Sequence, residues 1–301
     1  MSYALVHYKN PQPLETGNKI SLTHRLRGKA FQPEKAGNCR LFVFPDGNRF
    51  VFFAEDTGDS GKLEFFRSYE VEMETDQEEK KLEKMQELNP ELSLDYKSSY
   101  LIVSGKFALC PAEFFNPTRK NMLFKYNHKL EGNEELHHQF FRGINAYAIF
   151  AVKQKSFHLY SRKFQGIQTL PAEVCLAENL LNNPPQEKGT FLHTHTGKDS
   201  LTIAVIRDNK LLLLNSFSWQ EYQDILYYVL FVAKQTGVRP DKNNFYFSGE
   251  IDKNSPAYRL LYQYIENPVL SIDKNLLLQS SNGDGEIAHR YFKTLSALSC
   301  E

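Results

Sequence analysis

The sequence predicts an α/β fold of two lobes related by internal duplication, each a sheet of mixed strand direction flanked by helices. Three observations carry this. Two three-stranded meanders stand about half the chain apart, each is followed by a helix-like segment, and strand and helix patterns alternate through the remainder.

The first meander lies between Arg40 and Glu72. Leu41-Phe42-Val43-Phe44 is an apolar strand, and Pro45-Asp46-Gly47-Asn48 is a strong turn signal. Arg49–Ala54 gives a second aromatic and β-branched strand, Asp56–Gly61 (DTGDSG) a second turn, and Lys62–Tyr69 a third strand. Residues 191–217 repeat the layout. Phe191–His195, Leu201–Ile206 and Lys210–Leu214 are the strands, with turns at Thr196–Asp199 and Arg207-Asp208-Asn209. The third strands end alike, Leu63 to Tyr69 against Leu211 to Phe217, at an offset of 148 residues.

Helices are expected between these strands. Thr75 and Glu78 form a capping box that opens a helix over Asp76–Leu88, whose charges make a solvated face. Glu134–Phe141 and Pro171–Leu181 read as helical. Gln220–Gln235 is the clearest helix, with Ser218 and Glu221 as a capping box and Gly237 as its terminator. Ser255-Pro256 starts a last helix through Ile265. Further strands fall at Tyr100–Val103, Met122–Tyr126, Ala146–Val152 and Asn244–Phe247. This is the pattern of duplicated ribonuclease-H-like lobes. The expected division is an N-terminal extension over 1–39, a first lobe over 40–170, and a second lobe with a C-terminal tail over 171–301.

Composition bounds the function. Thirty-six basic residues balance 36 acidic ones, which argues against a protein that wraps nucleic acid. The start has no basic region followed by an apolar run, so no signal peptide is expected. The longest apolar run, Ile225 to Ala233, is far short of the ~20 residues that span a bilayer. Four cysteines (Cys39, Cys110, Cys175 and Cys300) lack CxxC or zinc-like spacing, and read as reduced thiols of a cytoplasmic protein.

From about Arg40 to Ile265 the chain resembles a bacterial family of unknown function assigned an actin-like ATPase fold. More distantly, it is similar to the cytoplasmic actin-like proteins of type IV pilus and type II secretion assembly. The strings LFVFPDGNRFVFF, AYAIFAVKQK, PAEVCLAENLL, FLHTHTGKDSLTIAVIRDNKLLLLNSF and FYFSGEIDKNSPAYRLL carry the resemblance, with the Tyr222–Gly237 helix between the last two. The resemblance implies two lobes that cup magnesium–ATP on hairpin loops of Asp-x-Gly type, with a glycine-rich turn beside the adenosine.

The residues depart from that pattern at three loops. In the second phosphate turn His193 stands at the aspartate position and His195 at the first glycine, leaving Gly197 and Lys198 to meet an anion. Imidazole is a poor replacement for a carboxylate that holds hydrated magnesium, a hard cation that prefers oxygen. In the first turn Asp46 and Gly47 read as ordinary hairpin chemistry. In the third, Ser248-Gly249-Glu250 has one glycine, and Glu250 brings a carboxylate toward the nucleotide. A shifted register offers Asp56, Gly58 and Lys62 as a first phosphate loop, against the plainer reading of a polar turn.

His193 and His195, two apart on a strand, face one side and could hold a transition metal with a third ligand such as Asp199 or His158. The plainer reading is one packed and one exposed histidine. His137 and His138, on a helix, would point in different directions. The leading expectation is a degenerate ATPase, without catalysis or cofactor, acting as a scaffold for protein partners. A homodimer stays open. The alternatives are an ATPase or nucleotide sensor using Asp56, Gly58 and Lys62 with Mg-ATP, and a metal-dependent hydrolase around His193 and His195.

Overall fold

The computed structural model describes residues 19–26, 31–58, 62–73, 77–185, 189–272 and 285–300. The chain forms two compact units, 1–99 and 100–301. The lobe division at 170/171 is a reading of the duplication and is a different division from this one.

The first unit is built on β1 (Lys19–Arg25), β2 (Cys39–Asp46), β3 (Arg49–Asp56) and β4 (Lys62–Glu72) in the order β1-β4-β3-β2, every pairing antiparallel. The predicted meander is β2–β3–β4. Strand β3 is buried on both faces, which explains its near-continuous apolar run. Phe42 stacks on its cross-strand partner Phe53 at 4.9 Å between ring centroids. Each such fully buried phenylalanine contributes about 2–3 kcal/mol of burial free energy. Arg40 pairs across the same hairpin with Glu55, its Nε donating to Oε2 at 2.8 Å. Helix α1 (Glu78–Leu88) turns Leu82 and Met85 inward. Gln77 holds its N-cap position; Thr75 of the expected capping box and Asp76, the expected helix start, lie outside the described residues. Strand β5 (Ser98–Val103) follows.

The second unit begins within β5 and continues into a small antiparallel sheet, β6-β8-β7, formed by β6 (Phe107–Pro111), β7 (Glu134–Phe141) and β8 (Ala146–Lys153) with α2 (Lys120–Lys125) against it. Two expectations are corrected here. Glu134–Phe141, expected as a helix, is strand β7, so His137 and His138 sit on a strand. Its residues pair one for one with β8, and this ladder overrides helix propensity. Met122–Tyr126, expected as a strand, falls in α2 and its C-cap. The signal lies upstream: Asn116 caps a 3-10 turn by accepting from Thr118 N at 3.0 Å, and Pro117 starts that turn.

Helix α3 (Gln154–Lys163) leads to β9 (Gln168–Pro171), which runs parallel to β5. Helix α4 (Ala172–Asn182) is buried on all sides through Leu180. The second meander then appears as β10 (Thr190–Thr196), β11 (Ser200–Arg207) and β12 (Lys210–Ser218). Asp208 and Asn209, both with positive φ, make the turn between β11 and β12. After α5 (Tyr222–Thr236), β13 (Asn244–Gly249) returns parallel to β10; α6 (Pro256–Leu261) then leads to β14 (Pro268–Leu270), parallel to β13.

The resulting order is β12-β11-β10-β13-β14, an antiparallel meander extended by parallel strands. One face packs on α5 and α6 through Leu192, Ile203, Val229 and Phe247. The other packs Phe191, Ala204 and Tyr246 against Leu176 and Leu180 of α4. The capping box of α5 joins Glu221 to Asp224, not to Ser218, and Gly237 ends the helix in the left-handed conformation as expected. Helix α6 stops at Leu261, short of Ile265. A C-terminal segment, α7 (Gly285–Arg290) and α8 (Phe292–Leu295), adds Phe292 to the α4 face. Among the described residues no helix is long and apolar enough to cross a membrane.

Candidate functional site

Strand β10 changes character along its length. Phe191 and Leu192 are ordinary core residues, but His193, Thr194, His195 and Thr196 are also buried. The strand is central, flanked by β11 and β13, so its polar side chains have nowhere to go but into the two packed faces.

His193 lies on the α4 face, wholly buried, with its ring 4.9 Å from that of Phe292. Neither of its ring nitrogens has a hydrogen-bond partner. Burial, and secondarily the neighbouring His289, pulls its pKa down to about 3, so the ring is neutral at ordinary pH. His195, two residues on, faces the same side, and its Nδ1 lies 2.9 Å from Ser248 Oγ on β13. Strand register then sets Thr202 of β11 beside His195 and Ser216 of β12 beside Thr202, whose hydroxyls are 3.3 Å apart. Ser216, Thr202, His195 and Ser248 thus form a polar row across four strands. Thr194 and Thr196 face the opposite side with unpartnered hydroxyls.

The turns beyond this row are closed on themselves. Gly197 N donates to Ser200 O at 2.8 Å, and Glu250 N donates to Thr196 O at 2.7 Å. Gly249, at φ +93, lets the end of β13 approach β10 so closely that a Cβ there would lie 2.1 Å from Thr196 O. The glycine serves strand packing, where a phosphate cradle would need outward-facing amides. Lys198 and Asp199 are exposed on the turn.

In the first unit, Asp46 ends β2 and Gly47-Asn48 make a two-residue hairpin turn, with φ +55 at Gly47. The glycine supplies the positive φ that such a turn needs. Lys81 Nζ of α1 donates to Gly47 O at 2.6 Å, and Val71 N donates to Asn48 O at 2.6 Å. Asp56, in the alternative register, ends β3 and accepts from Gly58 N at 2.9 Å. That amide is therefore engaged by the side chain two residues before it. Lys62 stands across the ladder from Asp56.

Sequence reasoning missed a second polar cluster. Glu173 at the head of α4 is buried and paired with the equally buried Lys293 of α8, Nζ to Oε1 3.2 Å. Ser104, after β5, donates to the same carboxylate oxygen and accepts from Lys293 Nζ at 3.2 Å. His289 of α7 places its ring nitrogens 2.7 Å from Ser271 O and 2.6 Å from Ile251 O. Ser104, Glu173 and Lys293 come from segments 69 to 189 residues apart, and no local pattern announces their meeting. Among the described residues no group of three His, Cys, Asp or Glu side chains is placed to hold a metal.

A repeated meander joined to parallel strands, covered by helices, with hairpin turns at the strand ends, defines the actin-like ATPase fold. The structure is similar to the crystal structure of a Bacteroides thetaiotaomicron VPI-5482 protein with actin-like ATPase fold and unknown function. The TM-score is 0.75 at 19% identity, over 90% of this chain and 100% of that one. It is also similar to a chain of the PilM–PilN type IV pilus biogenesis complex, at TM-score 0.55 and 12% identity, over 86% of this chain and 97% of that one. At these identities the likeness is one of fold. The chain belongs to the family described as Protein of unknown function (DUF3822), which matches residues 28–267. No curated protein matches the sequence.

Proposed function

We propose that this chain is a non-catalytic scaffold whose actin-like lobes, 40–170 and 171–301, bind a protein partner in place of magnesium–nucleotide. The observation that carries the reading is His193. A nucleotide-binding relative needs a carboxylate at this position to orient hydrated magnesium. Here a neutral imidazole is sealed against Phe292 with both nitrogens unpartnered. Such a ring offers magnesium no oxygen, and its burial leaves no route for one.

The surrounding turns support the same reading. The amides of Gly197, Glu250 and Gly58 are engaged within the chain, so they are not aimed at an anion. The buried carboxylate of Glu173 already has its counter-charge in Lys293. These residues do not fit a magnesium–nucleotide complex. A protein partner is supported by the PilM–PilN neighbour, which is itself a complex of two proteins.

A phosphate-release assay tests the loss of catalysis. Purified chain with magnesium and ATP should release phosphate no faster than a protein-free blank. Turnover that disappears in Asp56→Ala would instead assign the phosphate loop to Asp56, Gly58 and Lys62.

A further inference from the structure

The four cysteines are far apart in sequence, and their spacing implies no pairing. The fold brings two of them together. Cys175 stands in the middle of α4 and is fully buried, and its thiol is hydrogen-bonded to that of Cys300. Cys300 follows the 3-10 turn Ser296–Ser299, with its Sγ 3.9 Å from Ser296 O. The other two thiols, Cys39 in β2 and Cys110 in β6, are buried elsewhere in the fold.

The two segments are fixed to each other around this contact. Asn179, one helical turn after Cys175, donates from Nδ2 to Ser296 Oγ at 3.2 Å and accepts from Ser299 Oγ at 2.7 Å. Asn179 therefore grips the C-terminal turn at two points. These bonds fix α4 and the C-terminal turn to each other beside the Cys175–Cys300 contact.

The geometry points to a disulfide site: oxidation of Cys175 and Cys300 by a peroxide covalently joins α4 to the C-terminal segment. The chemistry is balanced in two steps. Cys300, exposed when its short 3-10 turn opens, loses its thiol proton, and its sulfur attacks one peroxide oxygen. The O–O bond breaks, water leaves, and a sulfenic acid remains on Cys300. The Cys175 thiol then loses its proton and its sulfur attacks the Cys300 sulfur. The S–O bond breaks and a second water leaves. The two thiols together give up two electrons, and the peroxide takes them. Burial pushes the Cys175 thiol well up, which disfavours it as the first nucleophile and leaves the peroxide to Cys300.

The linkage would hold Phe292 over His193 and Lys293 on Glu173, because both residues belong to the segment that Cys300 anchors. It thus offers a redox lock on the packing that closes the β10 face.

The test uses the full chain treated with hydrogen peroxide, then alkylated, digested and mapped by mass spectrometry. The expected result is a dominant Cys175–Cys300 peptide, an intact mass lower by two hydrogens, reversal by dithiothreitol, and a higher melting temperature than the reduced protein. Cys300→Ser should abolish both the link and the thermal gain, and Cys175→Ala should leave a sulfenic acid on Cys300 that dimedone captures. The proposal is overturned if Cys175 and Cys300 are both recovered as alkylated thiols. A disulfide mapping to Cys39 or Cys110, or over-oxidation of Cys300 beside a free Cys175, would overturn it equally.

Discussion

His193 is the residue at which the protein departs furthest from ordinary core chemistry. Two buried nitrogens without partners cost the fold, because each has lost its water and gained nothing. The ring's pKa of about 3 lies below its ordinary 6.5. Between those values the unfolded chain binds a proton that the folded chain refuses. Stability therefore rises with pH across that window, by up to about 1.4 kcal/mol per unit, is complete above 6.5, and is lost toward 3. His193→Leu should flatten that slope and leave stability at pH 7 unchanged or raised by up to about 2 kcal/mol. Urea titrations of both proteins at pH 5 and pH 7 read this directly, and a large loss at pH 7 would mean the imidazole has a partner. The place of His193 and His195 on one strand was legible in the sequence. The burial of all four residues from His193 to Thr196 was not, since a polar run beside a turn signal reads as a strand emerging into solvent. Gly249 was legible as a lone glycine, but its steric duty toward Thr196 depends on β10 and β13 lying side by side.

Among the elements, α4 and α8 depend on each other through one buried ion pair. Removing one charge strands the other in a low-dielectric site. Lys293→Met should therefore destabilise the chain by about 3–5 kcal/mol, and adding Glu173→Gln should recover a substantial part of it. Denaturant melts of the single and double variants check this, and additive losses would show that the pair is not coupled. The C-terminal segment itself was invisible to sequence reasoning, because its partners lie in α4, β13 and the chain after β5. Strand β7 and helix α2 show how local pattern fails in opposite directions. Glu134-Glu135-Leu136 has helix-favouring composition, yet pairing with β8 decides the outcome. Met122-Leu123-Phe124 looks like a strand, yet the Asn116-Pro117 start upstream sets a helical course. The two meanders, by contrast, were readable strand by strand, since their turns carry Asp-Gly and Asp-Asn signals at the positions where the chain reverses.

For the whole molecule, the duplication was the most legible feature, and the fold follows from it. A meander continued by parallel strands gives each repeat a twisted sheet with two faces to cover, and the helices between strands cover them. What such a fold does depends on the few residues at its strand ends. Here those ends are spent on internal contacts, on α8 and on turn hydrogen bonds. The proposed scaffold keeps the actin-like architecture and binds no nucleotide. Calorimetric titration of the purified chain with Mg-ATP and with Mg-ADP tests it most directly. A scaffold without a nucleotide site gives heats that match dilution into buffer for both nucleotides; a saturable, magnesium-dependent isotherm for either would overturn the proposal.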